Sequence, residues 1–143
     1  MPKSTAACNS FLALVYNATA WANVADNAAS SPATVIQVAL ATASYTVSST
    51  LSSNEATYTN YVRQTLPRST SGWTAPSARQ TSNAAAVDYP QCGVTGNTIT
   101  SAAAGIGAGA GTPIHYGDLN SPITVSNLIQ PRFAIGAITI TEA

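Results

Sequence analysis

The spacing of the apolar residues changes near residue 35, and this change limits the chain to a fold with a helix followed by strands. Before that point, apolar residues recur every three or four positions, which is typical of an amphipathic helix. The stripe consists of Cys8, Phe11, Leu12, Val15 and Thr19. We expect one helix over residues 4–20, with Ser4 or Thr5 capping its start. Residues 22–34 are small and polar, which indicates a connecting loop.

From residue 35 onward, apolar and polar or small residues alternate, which is typical of strands. Ile36, Val38 and Leu40 alternate with smaller or polar neighbours, so we expect a half-buried strand there. Further strands are predicted around Tyr45 and Val47, then at Tyr58–Leu66, Gln80–Tyr89, Val94–Thr100, Ile114–Leu119 and Ile123–Val125. Pro67 should end one of them, because proline donates no ladder hydrogen bond. Ser69–Pro76 should be a loop and Asn120–Pro122 a turn.

The longest strand-like run is Arg132–Thr141. Phe133 and Ile135 lie on one face of this run, and Ile138 and Ile140 have the opposite parity. A β-bulge at Gly136 would turn both pairs toward the core.

Many short strands separated by turn residues indicate an antiparallel β-sandwich or flattened barrel. The predicted fold class is therefore mainly β, with one N-terminal helix. A chain of 143 residues fits a single domain over residues 1–143, with the sandwich over residues 35–143.

Charged residues make up only 7% of the chain, where about 25% is usual. Such a surface suits a protein whose outside meets neighbouring subunits, although a lineage rich in alanine, serine and threonine would show the same composition. The net charge of zero also favours association. We therefore expect a homo-oligomer, with a trimer as the first expectation. The five basic residues are scattered and form no stripe, so we expect no nucleic-acid partner.

No apolar run approaches the roughly 20 residues needed to cross a bilayer, so no membrane partner is expected. The apolar patch Phe11–Tyr16 is too short for a signal peptide. Synthesis in the cytoplasm is the expectation that follows.

No catalytic, cofactor or metal site can be assembled from the sequence. Serine, aspartate and His115 are all present, but no Gly-x-Ser-x-Gly motif orders them. The run Gly105–Gly111 lacks the Lys-Ser/Thr of a phosphate-binding loop, and we expect an exposed, mobile hairpin tip. The five acidic residues offer no pair for glycoside cleavage. The expectation is a protein that is not an enzyme.

Three other residues have open alternatives. Cys8 and Cys92 are expected to be buried thiols that behave as small apolar groups, and a bond between them in an oxidised particle is the alternative. Arg63 could stack on an aromatic ring or pair with Asp88 or Asp118, and we expect a structural role within the domain rather than its alternative, a contact to a partner.

The order of segments resembles a family of small tailed-bacteriophage structural proteins, labelled tail-fibre-like or capsid cement (decoration) proteins. The segments that carry the resemblance are residues 35–40, Thr57–Gln64, Ser82–Pro90, Ile114–Leu119 and Phe133–Thr141. Its most specific elements are Tyr-x-Arg-Gln at Tyr61–Gln64 and Tyr-Gly-x-Leu at Tyr116–Leu119. Family members often carry an aromatic segment where this chain has Cys92–Thr100.

The resemblance implies a mostly β domain that repeats many times on a virion and performs no catalysis. We expect a cement protein on the capsid exterior that bridges neighbouring major capsid subunits through multivalent attachment. The alternative is a tail-fibre or receptor-binding module that recognises the host surface. Cement is favoured here because a terminal fibre module usually follows a shaft or attachment segment, and in a chain that starts at Met1 we expect none.

Overall fold

A computed structural model describes residues 3–21 and 32–142. The predicted fold class is confirmed: the structure is mainly β, with antiparallel sheets and an N-terminal helix, and 38% of the described residues are in strands and bridges and 10% in the helix. In the described residues the elements are α1 (Thr5–Asn17), β1 (Val35–Ala41), β2 (Gln64–Pro67), β3 (Gln80–Ser82), β4 (Val87–Asp88), β5 (Asn97–Ile106), β6 (Thr112–Val125), β7 (Arg132–Phe133) and β8 (Thr139–Thr141).

The helix α1 begins as predicted, because the Ser4 side chain accepts a hydrogen bond from the Ala7 amide at 3.2 Å. It ends earlier than residue 20, since Ala18 adopts the left-handed conformation with φ 54°. Arg68 satisfies carbonyls of the last turn by donating to Val15 O at 2.6 Å and also to Leu14 O. The helix in the described part of the chain is too short to span a membrane.

The largest sheet has the strand order β2-β1-β5-β6. β1 and β5 are antiparallel, with Ala39 opposite Ala103. β5 and β6 are also antiparallel, with Ala103 opposite Tyr116. Two further sheets each contain two strands, β3 with β8 and β4 with β7.

The chain divides into two compact units. Unit 1 comprises Met1–Val35, Leu66–Val87 and Phe133–Ala143, and unit 2 comprises Ile36–Thr65 and Asp88–Arg132. The single domain over residues 1–143 stays a prediction.

In unit 1, the Tyr16 ring packs against the fully buried Trp73 with ring centroids 4.7 Å apart. Buried Asn83 organises the segment that follows β7, donating to Ala134 O at 2.9 Å and accepting from the Ile138 amide at 2.8 Å. These bonds hold a turn in which Gly136 has φ 77°.

This turn corrects the prediction of one long strand over Arg132–Thr141. The run forms two short strands in different sheets, and Gly136 lies in the turn between them. Ile135 is 69% exposed and does not face a core. The predicted strand Gln80–Tyr89 is likewise split into β3 and β4, because Asn83 leaves the β3 ladder and bridges to Trp73.

Three predictions for unit 2 were wrong in detail. The segment around Tyr45 and Val47 forms turns, and the predicted strand Tyr58–Leu66 is reduced to its last residues, since a turn with φ 78° at Asn60 precedes it. The predicted turn at Asn120–Pro122 is part of a bulge, in which residues 119–122 of β6 lie opposite Thr100 alone.

Of the predicted loop 22–34, residues 22–31 lie outside the described residues.

The strand β1 is more deeply buried than predicted. Val38 and Leu40 are buried, and so are Ala39 and Ala41 on the opposite face. β1 lies between two other strands, so both of its edges are paired. The face of β1 that carries Ala39 and Ala41 is covered by the loop over residues 42–54.

Candidate interaction surface

The loop over residues 42–54 folds onto one face of β1 and β5. Tyr45 and Leu51 from this loop form a buried cluster with three alanines of the two strands. The alanines are Ala39, Ala41 and Ala103. Because these side chains are small, the Tyr45 ring can lie close to the sheet, and its hydroxyl donates to Leu51 O at 3.3 Å.

The end of this loop is held by an ion pair between Arg63 and Glu55. From the sequence, Arg63 was expected to pair with Asp88 or Asp118 instead. Arg63 donates to Glu55 through Nε at 2.6 Å and Nη2 at 2.7 Å, a two-pronged geometry that suits guanidinium and carboxylate. Its remaining donors reach Gln37 Oε1 at 3.1 Å and Ser52 Oγ at 2.9 Å. The side chains of Arg63 and Glu55 are only 13% and 20% exposed. The hydrogen bond to Glu55 raises the pKa of Arg63.

The predicted partners of Arg63, Asp88 and Asp118, were therefore wrong. Its hydrogen bonds to Glu55, Gln37 and Ser52 give Arg63 a structural role within unit 2. Asp88 pairs with Arg132 at 2.9 Å in an exposed position. Glu55 was missed because it lies in an irregular serine- and threonine-rich segment, where no periodicity indicates which way a side chain points. Its spacing of eight residues from Arg63 was the available signal.

A group of tyrosines lies beside this ion pair. Tyr61 donates to Glu55 Oε1 at 3.0 Å and accepts from the Leu40 amide at 3.0 Å. Its ring is stacked on Tyr89, with centroids 6.1 Å apart. Burial raises the pKa of Tyr61 and of Tyr89 far above the usual range. Burial, followed by the charge of Glu55, raises the pKa of Tyr45 to about 12.

The glycine-rich run lies at the turn between β5 and β6. As predicted, residues 106–110 are exposed. Gly105, however, is a buried strand residue, and a Cβ there would lie 2.2 Å from Thr112 O. The tip is also tethered, since the Leu51 amide donates to Ala110 O at 2.8 Å and Ser52 Oγ donates to Gly109 O at 2.8 Å.

The strand β6 is the most exposed strand of the large sheet. In the described residues it is the last strand in the sheet order, so its outer edge has no neighbouring strand. Most of its side chains are exposed or half-buried, and Val125 alone among Thr112–Val125 is buried. Tyr116 is 42% exposed and packs against Tyr45 with centroids 5.9 Å apart. A long strand of this kind is available for contact with another molecule.

The other residues singled out in the sequence have ordinary surroundings. His115 is a half-buried residue of β6, consistent with the local strand role expected for it. Cys8 in α1 and Cys92 are buried free thiols, as predicted, and Cys92 Sγ lies 3.3 Å from Thr95 O. Among the described residues, no group of three histidine, cysteine or acidic side chains could hold a metal ion.

Sequence reasoning also missed three exposed apolar residues in unit 2. Leu128 is exposed and adopts a left-handed conformation with φ 69°, which is uncommon for a residue that carries a Cβ. The turn is held in place because the Leu128 amide donates to Cys92 O at 2.9 Å and the Cys92 amide donates to Ile129 O at 2.8 Å. Neighbouring Ile129 and Val94 are exposed too.

In the described residues the architecture is mainly β, the outer edge of β6 is open, and several apolar side chains are exposed. The family model for the podophage GP4 fiber I protein gp80 matches residues 13–141. The chain belongs to this family. No curated protein matches the chain. Membership in the gp80 fiber I family supports the virion structural role that the resemblance in the sequence implied.

Proposed function

We propose that this protein is a repeating component of a fibre on a tailed phage particle, with a structural rather than a catalytic role. The observation that carries the proposal is the match of the gp80 fiber I family over residues 13–141. A fibre module performs its function through surfaces, and β6 supplies an extended surface in unit 2.

Self-association is the first part of this proposal. The outer edge of β6 carries a single charged residue, Asp118, along Thr112–Val125. Exposed edge strands in monomeric proteins are commonly protected by lysine, proline or bulges. β6 has prolines at positions 113 and 122 and a bulge at residues 119–122, which leaves Ile114–Asp118 as the accessible stretch. Pairing of this stretch with a second copy would complete the sheet edge.

The self-association test uses a lysine at Gly117, where an added Cβ would meet no atom within 4 Å. Gly117→Lys should place a positive charge in every copy of the interface and shift the protein toward monomer in sedimentation velocity. Val62→Lys, at an exposed position of the same unit, is the matched control and should leave the assembly state unchanged. The wild-type mass also tests the trimer expected from composition. A wild-type protein that is monomeric at all concentrations would contradict this part of the proposal.

The second candidate function is capsid cement, which would bridge major capsid subunits on the capsid exterior. It is supported by the low charge content of 7%, which suits attachment to a repeating shell. A ligand that binds only the assembled shell stabilises it by mass action.

One deletion phage separates the two functions. If the protein belongs to a fibre that contacts the host, particles lacking it should adsorb poorly and release DNA at the normal temperature. If it is cement, these particles should release DNA at a lower temperature and adsorb normally. Copy number per virion, measured by quantitative mass spectrometry, gives an independent answer, since a shell protein is expected in hundreds of copies.

A further inference from the structure

We propose that Asp118, Ser101 and the bulge over residues 119–122 form a binding site for Ca²⁺. The site combines a carboxylate, a buried hydroxyl and backbone carbonyls, and Ca²⁺ takes oxygen ligands of these kinds. An ion at this place does not depend on whether the protein acts in a fibre or on the shell.

Asp118 of β6 and Ser101 of β5 lie directly opposite each other in the antiparallel ladder. Opposite side chains of such a pair lie on the same face of the sheet, with their Cβ atoms about 5 Å apart. A Ca²⁺ ion lies about 2.3–2.6 Å from each oxygen ligand, so one ion spans oxygens up to roughly 5 Å apart. The Asp118 carboxylate and the Ser101 hydroxyl are therefore close enough to share an ion.

The Ser101 hydroxyl is the group that points to a ligand. Ser101 is 0% exposed, and within residues 3–21 and 32–142 its Oγ has no hydrogen-bond partner. Leaving a buried hydroxyl without a partner costs free energy, and in folded proteins such a group usually meets an ordered water or an ion when no protein group is available. The oxygen has two lone pairs and can coordinate a cation.

The carboxylate of Asp118 is available to an ion. In the part of the chain that the structure describes, no hydrogen bond or ion pair involves it. Residues 97–125, which include both β5 and β6, contain no lysine or arginine that could neutralise its charge. Asp118 is also exposed, so an ion can reach it from the solvent.

The bulge places further oxygens beside Asp118. Residues 119–122 lie opposite Thr100 alone, so the extra residues are left out of the regular ladder and their carbonyls can turn toward a ligand. Asn120 lies within this segment, is exposed and carries a side-chain carbonyl. The site thus offers one charged and several neutral oxygens within a short stretch of chain.

This set of ligands favours Ca²⁺ over Zn²⁺ and Mg²⁺. Zn²⁺ is held mainly by cysteine and histidine, and the proposed ligands are all oxygens. Mg²⁺ requires near-ideal octahedral geometry and releases its water reluctantly, whereas Ca²⁺ accepts the irregular geometry of a bulge. With a single carboxylate the affinity should be low, with a Kd on the order of 1 mM.

The test is terbium luminescence of the intact protein. Tb³⁺ occupies Ca²⁺ sites and emits when a nearby tyrosine is excited, and Tyr116 lies on the same face, two positions or about 7 Å along the strand from Asp118. Bound Tb³⁺ should therefore emit on tyrosine excitation. Calcium chloride should displace it at concentrations at least tenfold lower than magnesium chloride. Tyr116→Phe should lower the emission and leave the displacing calcium concentration unchanged.

Two substitutions address the ligands directly. Asp118→Asn removes the only charge of the site and should weaken binding at least tenfold. Ser101→Ala should weaken it several-fold. The Ser101→Ala variant should fold normally, because the substitution removes a buried hydroxyl that has no protein partner in the described residues.

The matched control is Thr100→Val. Thr100 Oγ1 is a second buried hydroxyl without a partner in the described residues, and it belongs to the neighbouring position of β5. Successive side chains of a strand point to opposite faces, so this hydroxyl faces away from Asp118. Thr100→Val should therefore bind Tb³⁺ and Ca²⁺ as the wild type does.

The melting temperature gives an independent readout. An ion that binds the folded state stabilises it by mass action, so calcium chloride at about ten times its Kd should raise the Tm of the wild type and of Thr100→Val by a few degrees. The same concentration should leave the Tm of Asp118→Asn unchanged.

Any of three results would overturn the calcium site: no tyrosine-excited emission from the wild type, unchanged binding in Asp118→Asn, or Ser101→Ala binding as tightly as Thr100→Val. The fibre function is tested separately by the deletion phage. Its failure would leave the calcium measurements on the purified protein unaffected.

Discussion

Strands β1 and β6 belong to one sheet but have opposite relations to the solvent. β1 (Val35–Ala41) is buried on both faces along most of its length, and both of its edges are paired. β6 (Thr112–Val125) is twice as long, ends the sheet in the described residues, and is exposed or half-buried at every position except Val125. Strand length and alternation therefore do not indicate burial, because burial depends on which loops and strands the tertiary structure places against each face.

The cover over β1 is largely aromatic. Tyr45 packs on Ala39 and Ala41, Tyr61 accepts from the Leu40 amide, and Tyr89 donates to Val38 O at 3.1 Å. On β6 the corresponding aromatic residue, Tyr116, is exposed. The difference in burial between β1 and β6 can be tested by raising the pH and by matched substitutions in the two strands.

The largest expected effect is unfolding in alkali. Burial raises the pKa of Tyr45 and Tyr58 to about 12, above the ordinary value of 10.0. The folded state thus holds these protons more tightly than the unfolded state, so their contribution to stability is complete below pH 10 and is lost as the pH rises to about 12. Absorbance at 295 nm should show delayed tyrosine ionisation that coincides with loss of the β circular dichroism signal.

The control for this experiment is Tyr116→Phe, which removes one exposed phenol and should leave the delayed transition unchanged. Ionisation of all six tyrosines near pH 10 without unfolding would show that the aromatic cover of β1 is open to water.

The second effect compares equivalent truncations in the two strands. Ile36→Ala empties a fully buried position of β1 and should lower the free energy of unfolding by about 3 kcal/mol. Ile123→Ala, at a half-buried position of β6, should cost about 1 kcal/mol. Urea denaturation of both variants measures the difference, and equal losses would mean that β6 is covered in solution, for example by a second copy.

The third effect concerns two glycines on either side of the β5–β6 pair. Gly105→Ala would place a Cβ 2.2 Å from Thr112 O, so the strands must separate locally, at a cost of about 2 kcal/mol. Gly117→Ala meets no atom within 4 Å and should change the stability by less than about 0.5 kcal/mol. Thermal melts of the two variants provide the measurement. A harmless Gly105→Ala would contradict the close approach of Gly105 to β6.

The smallest effect concerns the ion pair that anchors the loop over β1. Glu55→Gln leaves Arg63 without its charged partner in a position that is only 13% exposed, and should cost about 1.5 kcal/mol. Asp88→Asn breaks an ion pair whose side chains are 50% and 63% exposed, and should cost less than about 0.5 kcal/mol. The contrast should persist in chemical denaturation at high salt, because salt screens the exposed pair far more than the half-buried one. Similar losses for both variants would show that the loop anchor is no stronger than a surface pair.

The sequence by itself determined the N-terminal helix, the change to strands at residue 35 and several ends of elements. Helical spacing gave α1, Ser4 capped it because its hydroxyl satisfies the Ala7 amide, and Pro67 closed β2. These features depend on neighbours within one or two turns of chain, so local chemistry is sufficient to predict them.

The tertiary structure alone decided where those elements lie and what they contact. The predicted strand Arg132–Thr141 is interrupted by a turn at Gly136, because Asn83 forms hydrogen bonds there to residues some 50 positions away in the sequence. Arg63 pairs with Glu55 and not with Asp88 or Asp118, the partners predicted from the sequence. Only the strand order left β6 at an edge and brought Tyr116 against Tyr45. The physical reason is that a polar side chain in an irregular segment has no period to fix its direction, so its partner is chosen by long-range packing.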